Sequence, residues 1–220
     1  KTDGHPMKKI VIAVGGVLFS LFLLAGEGEE WEFLSASPGV RSMGLGGAGT
    51  ALGDDHASGV LNPAGLGRLA RGEVSLSHHE GVESIIRDSL GVAFPMEKGT
   101  LAARWSGVDY GTISGLDSSG NALGNIGARE DWFQISGAGG FRNRVWAGIA
   151  LNQTERKFHD QSTQGAFFDG GLLARLPAPT FFQGFRAGVS VRTLGVGWSP
   201  GQGPRRDLGF GIATGVGDEK

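Results

Sequence analysis

After residue 72 apolar and polar residues alternate with a period of two. Leu208, Phe210, Ile212, Thr214 and Val216 alternate with Asp207, Gly209, Gly211, Ala213 and Gly215. Phe185, Ala187, Val189 and Val191 alternate with Arg186, Gly188, Ser190 and Arg192, and Val145, Ala147, Ile149 and Leu151 with Arg144, Trp146, Gly148 and Ala150. A period of two puts each set on one face of a strand. The pattern predicts eight strands, near 73–79, 89–96, 100–107, 130–140, 145–153, 166–176, 184–194 and 207–217. The connections alternate between short (97–99, 141–144, 177–183) and long (80–88, 108–129, 154–165, 195–206).

One face of each strand is large and apolar, and the other is small or charged. A sheet bathed by water hides its apolar face and covers the other with Lys and Glu. From 73 to 219 the only lysines are Lys98 and Lys157. This economy predicts an all-β chain that forms an antiparallel transmembrane β-barrel, in part, with lipid on the apolar face. Short turns would face the periplasm and long loops the exterior. Eight strands alone would close around a lumen filled by side chains. The chain ends in Gly217-Asp218-Glu219-Lys220, with no terminal aromatic residue. Both features predict a piece of a longer barrel. The alternative is a soluble, exported β-sandwich that binds a ligand.

The N-terminus points to export. Met7-Lys8-Lys9 precedes an apolar run from Ile10 to Leu24 and the small residues Ala25-Gly26. That run is shorter than the ~20 residues a spanning helix needs. Its basic start and short apolar centre predict a cleaved signal peptide.

Composition narrows the chemistry. There are 41 glycines in 220 residues, far above the usual ~7%. Phe, Trp, Leu, Val and Ile recur among them, so the glycines belong to ordered strands rather than a disordered tract. The absence of cysteine excludes disulfides, a thiolate metal site and a lipidated cysteine. A net charge of −2 gives no reason to expect nucleic acid.

Gly44-Leu45-Gly46-Gly47-Ala48-Gly49 fits the dinucleotide fingerprint G-x-G-x-x-G. No buried strand leads in and no helix leads out, so the cofactor reading fails. Asp54-Asp55-His56 reads as a turn with exposed acids rather than a metal cluster. Ser77-His78 with Asp88 is the best catalytic combination, but neighbouring strand residues face apart, and His78 and His79 cannot share an ion. No catalytic residue, metal or cofactor is expected. Arg104, Arg186 and Arg192 fall on the inward side, as polar lining of a lumen or as anchors for Asp54 and Asp55. Trp105, Trp132 and Trp198 fall near strand ends, where aromatic girdles lie. The same faces predict that Val189→Arg is costly and Ser190→Arg mild.

The stretch from Arg41 through Met43-Gly44-Leu45-Gly46-Gly47-Ala48-Gly49 to Asp54-Asp55, then Asn62-Pro63-Ala64-Gly65-Leu66, resembles the N-terminal signature of the PorV/PorQ family of outer-membrane proteins. That family is related to FadL-type transporters of hydrophobic compounds. Ser89-Leu90-Gly91-Val92-Ala93-Phe94-Pro95 and Asp109-Tyr110-Gly111 are similar to the next part of PorV-like chains. The specific part covers residues 36–111.

The resemblance implies a bacterial outer-membrane barrel with its N-terminal segment folded into the lumen. Gly44, Gly46, Gly47, Asn62, Pro63 and Ala64 would belong to that plug. It implies a role in protein export of the type IX kind or in passage of hydrophobic small molecules. The partners would be outer-membrane lipid and either secretion components or a hydrophobic ligand. The expected organisation is 1–26 extension and signal peptide, 27–72 plug, and 73–220 barrel strands. Family members have about fourteen strands, more than this chain supplies.

Overall fold

The computed structural model describes residues 39–46, 48–53, 55–116, 118–177, 183–196 and 207–215. The signal peptide, Gly47, Asp54 and Trp198 lie outside them.

The fold is all-β. Eight strands succeed one another: β1 Glu73–Glu80, β2 Ile86–Met96, β3 Gly99–Leu116, β4 Ala122–Phe141, β5 Val145–Phe158, β6 Gln161–Arg175, β7 Gln183–Val196 and β8 Asp207–Gly215. Each pairs antiparallel with the next in a single sheet of order β1 to β8. The alternative of a two-sheet sandwich is thereby overturned. The barrel expectation is met as far as an antiparallel meander. Among the described residues β1 and β8 are edges, and the sheet does not close.

Strand centres fall where the alternation predicts, but two connections do not. Residues 108–129 and 154–165, expected as long loops, are mostly strand. β3 and β4 run for 18 and 20 residues, and β5 meets β6 through His159-Asp160. Residues 154–165 pair in regular register but are mostly polar, so no apolar side marks them; over 108–129 the cause is irregular pairing. β3 and β4 slip register between Asp109 and Thr112 and again between Gly115 and Leu116. A bulge inserts an unpaired residue and breaks the period of two, so the pattern loses phase there. Between β4 and β5, Arg142 and Asn143 both take positive φ, matching the twist of a tight hairpin.

The two faces are inverted relative to a water-soluble sheet. Ile135, Ile149 and Ile212 are 66%, 60% and 73% exposed. On the opposite face Asn152 and Thr154 are fully buried, and Glu130, Gln134 and Asp169 nearly so. The apolar positions join in rows across the sheet. One row runs from Phe94 through Leu101, Gly137, Ile149 and Gly170 to Val191 and Leu208. The next runs from Ala147 through Leu172 and Val189 to Phe210.

The inner face is covered by residues that precede β1. This segment holds α1, Val40–Gly44, and two 3-10 turns, Ala57–Val60 and Pro63–Arg68. It reaches both edges of the sheet. The Ala51 backbone lies against Gly211 of β8, and the His56 backbone bonds to Glu73 of β1. The chain from Ala51 to His56 spans at most about 18 Å, whereas eight strands laid flat occupy about 34 Å. The sheet therefore curls around the segment.

Candidate functional site

The inner face offers the segment a floor of glycines. A Cβ on Gly171 of β6 would coincide with Asn62 Oδ1, and one on Gly148 of β5 would strike the Pro63–Ala64 peptide. A Cβ on Gly188 of β7 would strike the Thr50 carbonyl. Gly91 of β2 leaves room for the ring of His56. Backbone and side chains of the segment thus lie directly on the strands, which only a residue without a side chain permits. Between these contacts apolar residues fill the niches. Val60 packs with Val108, Trp132 and Phe167. Ala64 packs with Trp146 and Leu173, and Leu66 with Ala93 and Ala102. Burial of Val60 and Leu66 contributes about 1.5–3 kcal/mol each.

Asn62 clamps the middle of the segment. Its Nδ2 donates to the carbonyls of Thr50 at 2.8 Å, Leu172 at 3.1 Å and Val189 at 3.4 Å. Its Oδ1 accepts from Ala64 N at 3.0 Å, which caps the second 3-10 turn, with Pro63 at its first position. One buried amide therefore joins the segment to β6 and β7. Arg68 closes the turn, donating to the carbonyls of Leu52 at 2.5 Å and Gly53 at 3.1 Å and lying over the Trp146 ring. Of the residues expected in the plug, Asn62, Pro63 and Ala64 meet the sheet. Gly44 and Gly46 are exposed, and a Cβ at either would meet nothing within 4 Å.

A second part of the segment, around Asp55 and His56, is held by polar groups. Asp55 Oδ1 accepts from Ser58 N at 2.6 Å, and Arg41 reaches the same carboxylate at 3.4 Å. His56 N donates to Glu73 Oε2 at 2.8 Å, and His56 Nδ1 lies 3.1 Å from Ser75 Oγ. Beside the partly exposed Asp55, His56 is 4% exposed. Burial, with the Arg104 cation as the second cause, pushes its pKa down to about 4. The ring is neutral at pH 7.

No matching family model, curated protein or solved structure was found for the chain. The site therefore stands on its own geometry.

The three arginines expected on the inner face have different partners. Arg104 is buried and donates from Nη2 to Ser89 Oγ at 3.3 Å, while its Nε and Nη1 have no hydrogen-bond partner. Arg186 Nε donates to the Ala51 carbonyl at 3.3 Å. Arg192 pairs with Asp207 across β7 and β8. None of these bonds goes to Asp55.

Sequence reasoning missed a second inner network. Asn152 Oδ1 accepts from Trp132 Nε1 and Gln134 Nε2, both at 2.9 Å. Asn152 Nδ2 donates to Asp169 Oδ2 at 2.8 Å. Asp169 Oδ1 accepts from Thr193 N at 2.8 Å, at a residue with positive φ. The signal was present in part, because Trp132, Gln134, Asn152 and Asp169 all fall on the small-and-polar side of the alternation. Trp132 is accordingly an inner residue, 3% exposed, rather than part of a girdle. Trp105 lies toward the outer face and donates to Asp131 Oδ1 at 3.1 Å. His78 pairs with Asp88 at 2.6 Å, but Ser77 points to the opposite face, so the suspected trio does not assemble.

Proposed function

We propose that the chain forms wall and plug of an outer-membrane β-barrel of the PorV/FadL-like type, without catalysis. Its role in that reading is either protein export of the type IX kind or passage of hydrophobic small molecules. The observation that carries the proposal is the inverted sheet. Isoleucine, leucine and phenylalanine cover the exposed face, while asparagine, threonine and glutamate are buried. Water penalises that exposed apolar face and lipid does not.

The dimensions agree with this reading. On β4 the apolar side runs from Phe133 to Phe141, about 27 Å along the strand at ~3.4 Å per residue. A tilt of about 45° reduces this to about 19 Å, comparable to the ~25 Å apolar band of such barrels. One step beyond Phe133 the outward side becomes polar, with Asp88, Asp131 and Glu155 in one row. The resemblance of residues 36–111 supports the family reading, and the seated segment supports the plug.

The decisive experiment is Ile149→Arg. In a bilayer an arginine near the midplane costs about 2–4 kcal/mol. In water a change at so exposed a position stays within about 0.5 kcal/mol. We expect the wild-type chain to require detergent for extraction from membranes and the variant to unfold at markedly lower denaturant in lipid. A water-soluble wild type with an indifferent variant overturns the proposal. Uptake of a hydrophobic probe, measured against secretion of cargo in a deletion strain, separates the two roles.

A further inference from the structure

The segment on the inner face is held at two places by different chemistry. At Asn62 the bonds run from a neutral amide to backbone carbonyls, and no change of pH affects them. At His56 they run to side chains of β1, which among the described residues pairs on one side only. The ring rests on Gly91 of β2 and shares a hydrogen bond with the Ser75 hydroxyl. Arg104 of β3 stands beside it, a buried cation with one hydrogen bond to Ser89 and two nitrogens without partners. The ionisable groups around His56 are therefore Glu73 from β1 at its backbone, and Arg104 from β3 and Asp55 from its own loop at its ring.

We propose that residues 55–61 form an acid-released latch, in which protonation of His56 detaches this lobe from the sheet, Val60 with it, while Asn62 holds the rest of the segment in place. Burial first, and then repulsion from the Arg104 cation, disfavour a proton on the seated ring, because the niche holds little solvent to screen either charge. Opening the lobe hydrates both. The ring binds its proton only weakly when seated and near pH 6.5 when free. The open form therefore gains on the seated form as pH falls from about 6.5 to about 4, by up to tenfold per pH unit. The latch depends on the contact between segment and sheet, whatever solvent covers the outer face.

The test is hydrogen exchange of the full chain followed by peptide mass spectrometry, with the intrinsic pH dependence of exchange divided out. Protection of residues 55–61 should fall about tenfold per pH unit between pH 6 and 4.5, while that of 62–68 stays constant. His56→Asn should remove the slope, and Glu73→Gln should retain it. Arg104→Met should reduce the total loss of protection at least threefold. A wild-type lobe that stays protected to pH 4.5 overturns the proposal without any variant. So does a slope that survives in His56→Asn, or vanishes in Glu73→Gln, or is unchanged in Arg104→Met. Simultaneous loss of protection in 62–68 would assign the event to general unfolding and overturn it equally.

Discussion

Gly170 and Gly171 are neighbours on β6 that face opposite ways. A methyl group on Gly171 would overlap Asn62, whereas one on Gly170 would meet nothing within 4 Å. We expect Gly171→Ala to lower stability by about 1–3 kcal/mol. Gly170→Ala should change it by no more than about 0.5 kcal/mol. Thermal unfolding of the two variants side by side checks this. Asn62→Ala leaves the Thr50 and Leu172 carbonyls without this donor and should cost about 1–3 kcal/mol, read in the same assay. Part of this was legible in the sequence. Gly148, Gly171, Gly188 and Gly211 all occupy the inward phase of their strands, which marks them as floor positions. The partners of His56 were not legible, because Glu73, Ser75 and Gly91 lie 17 to 35 positions away and only the curl of the sheet joins them.

Among the strands, the sequence revealed centres and faces better than ends. β5, β7 and β8 alternate apolar residues with glycine and polar ones, and a period of two fixes which residues share a face. The upper halves of β3 and β4 carry Gly, Asp, Ser and Asn, which have low strand propensity, and two register slips hide their alternation. Val189 and Ser190 of β7 show how far face assignment reaches. Val189 lies in the outer apolar row, and Val189→Arg should cost about 2–4 kcal/mol in a bilayer. Ser190 was expected to tolerate arginine, but it is 1% exposed, and Gly209 lies close against its hydroxyl. Ser190→Arg should therefore destabilise too, through overpacking of about 1–3 kcal/mol or more, in detergent as well as in lipid. Unfolding of both variants in the two media separates the causes.

For the whole molecule, the all-β class and the inverted sheet arise from one property of the sequence, the pairing of bulky apolar residues with glycine and polar ones. Closure is not written there. Local alternation specifies a strand and its neighbour, but the fate of the β1 and β8 edges depends on groups distant in the chain. An unpaired edge is poorly tolerated in lipid. The segment at the centre supplies apolar contacts to several strands at once, so the curl of the sheet depends on it. Deleting residues 48–69 should abolish cooperative unfolding of the remaining strands, as checked by circular dichroism on heating.

β3 continues nine residues beyond Gly107, where its neighbours on the outward side become polar, and returns through residues 118–121 into β4. At ~3.4 Å per residue this is a ribbon about 30 Å long, held by ladder bonds rather than left as a slack loop. A short peptide epitope inserted between Ser119 and Gly120 would be carried at the tip of a stiff mast. In the proposed outer-membrane orientation, antibody should then bind it on intact cells, without permeabilisation and without loss of the protein beneath.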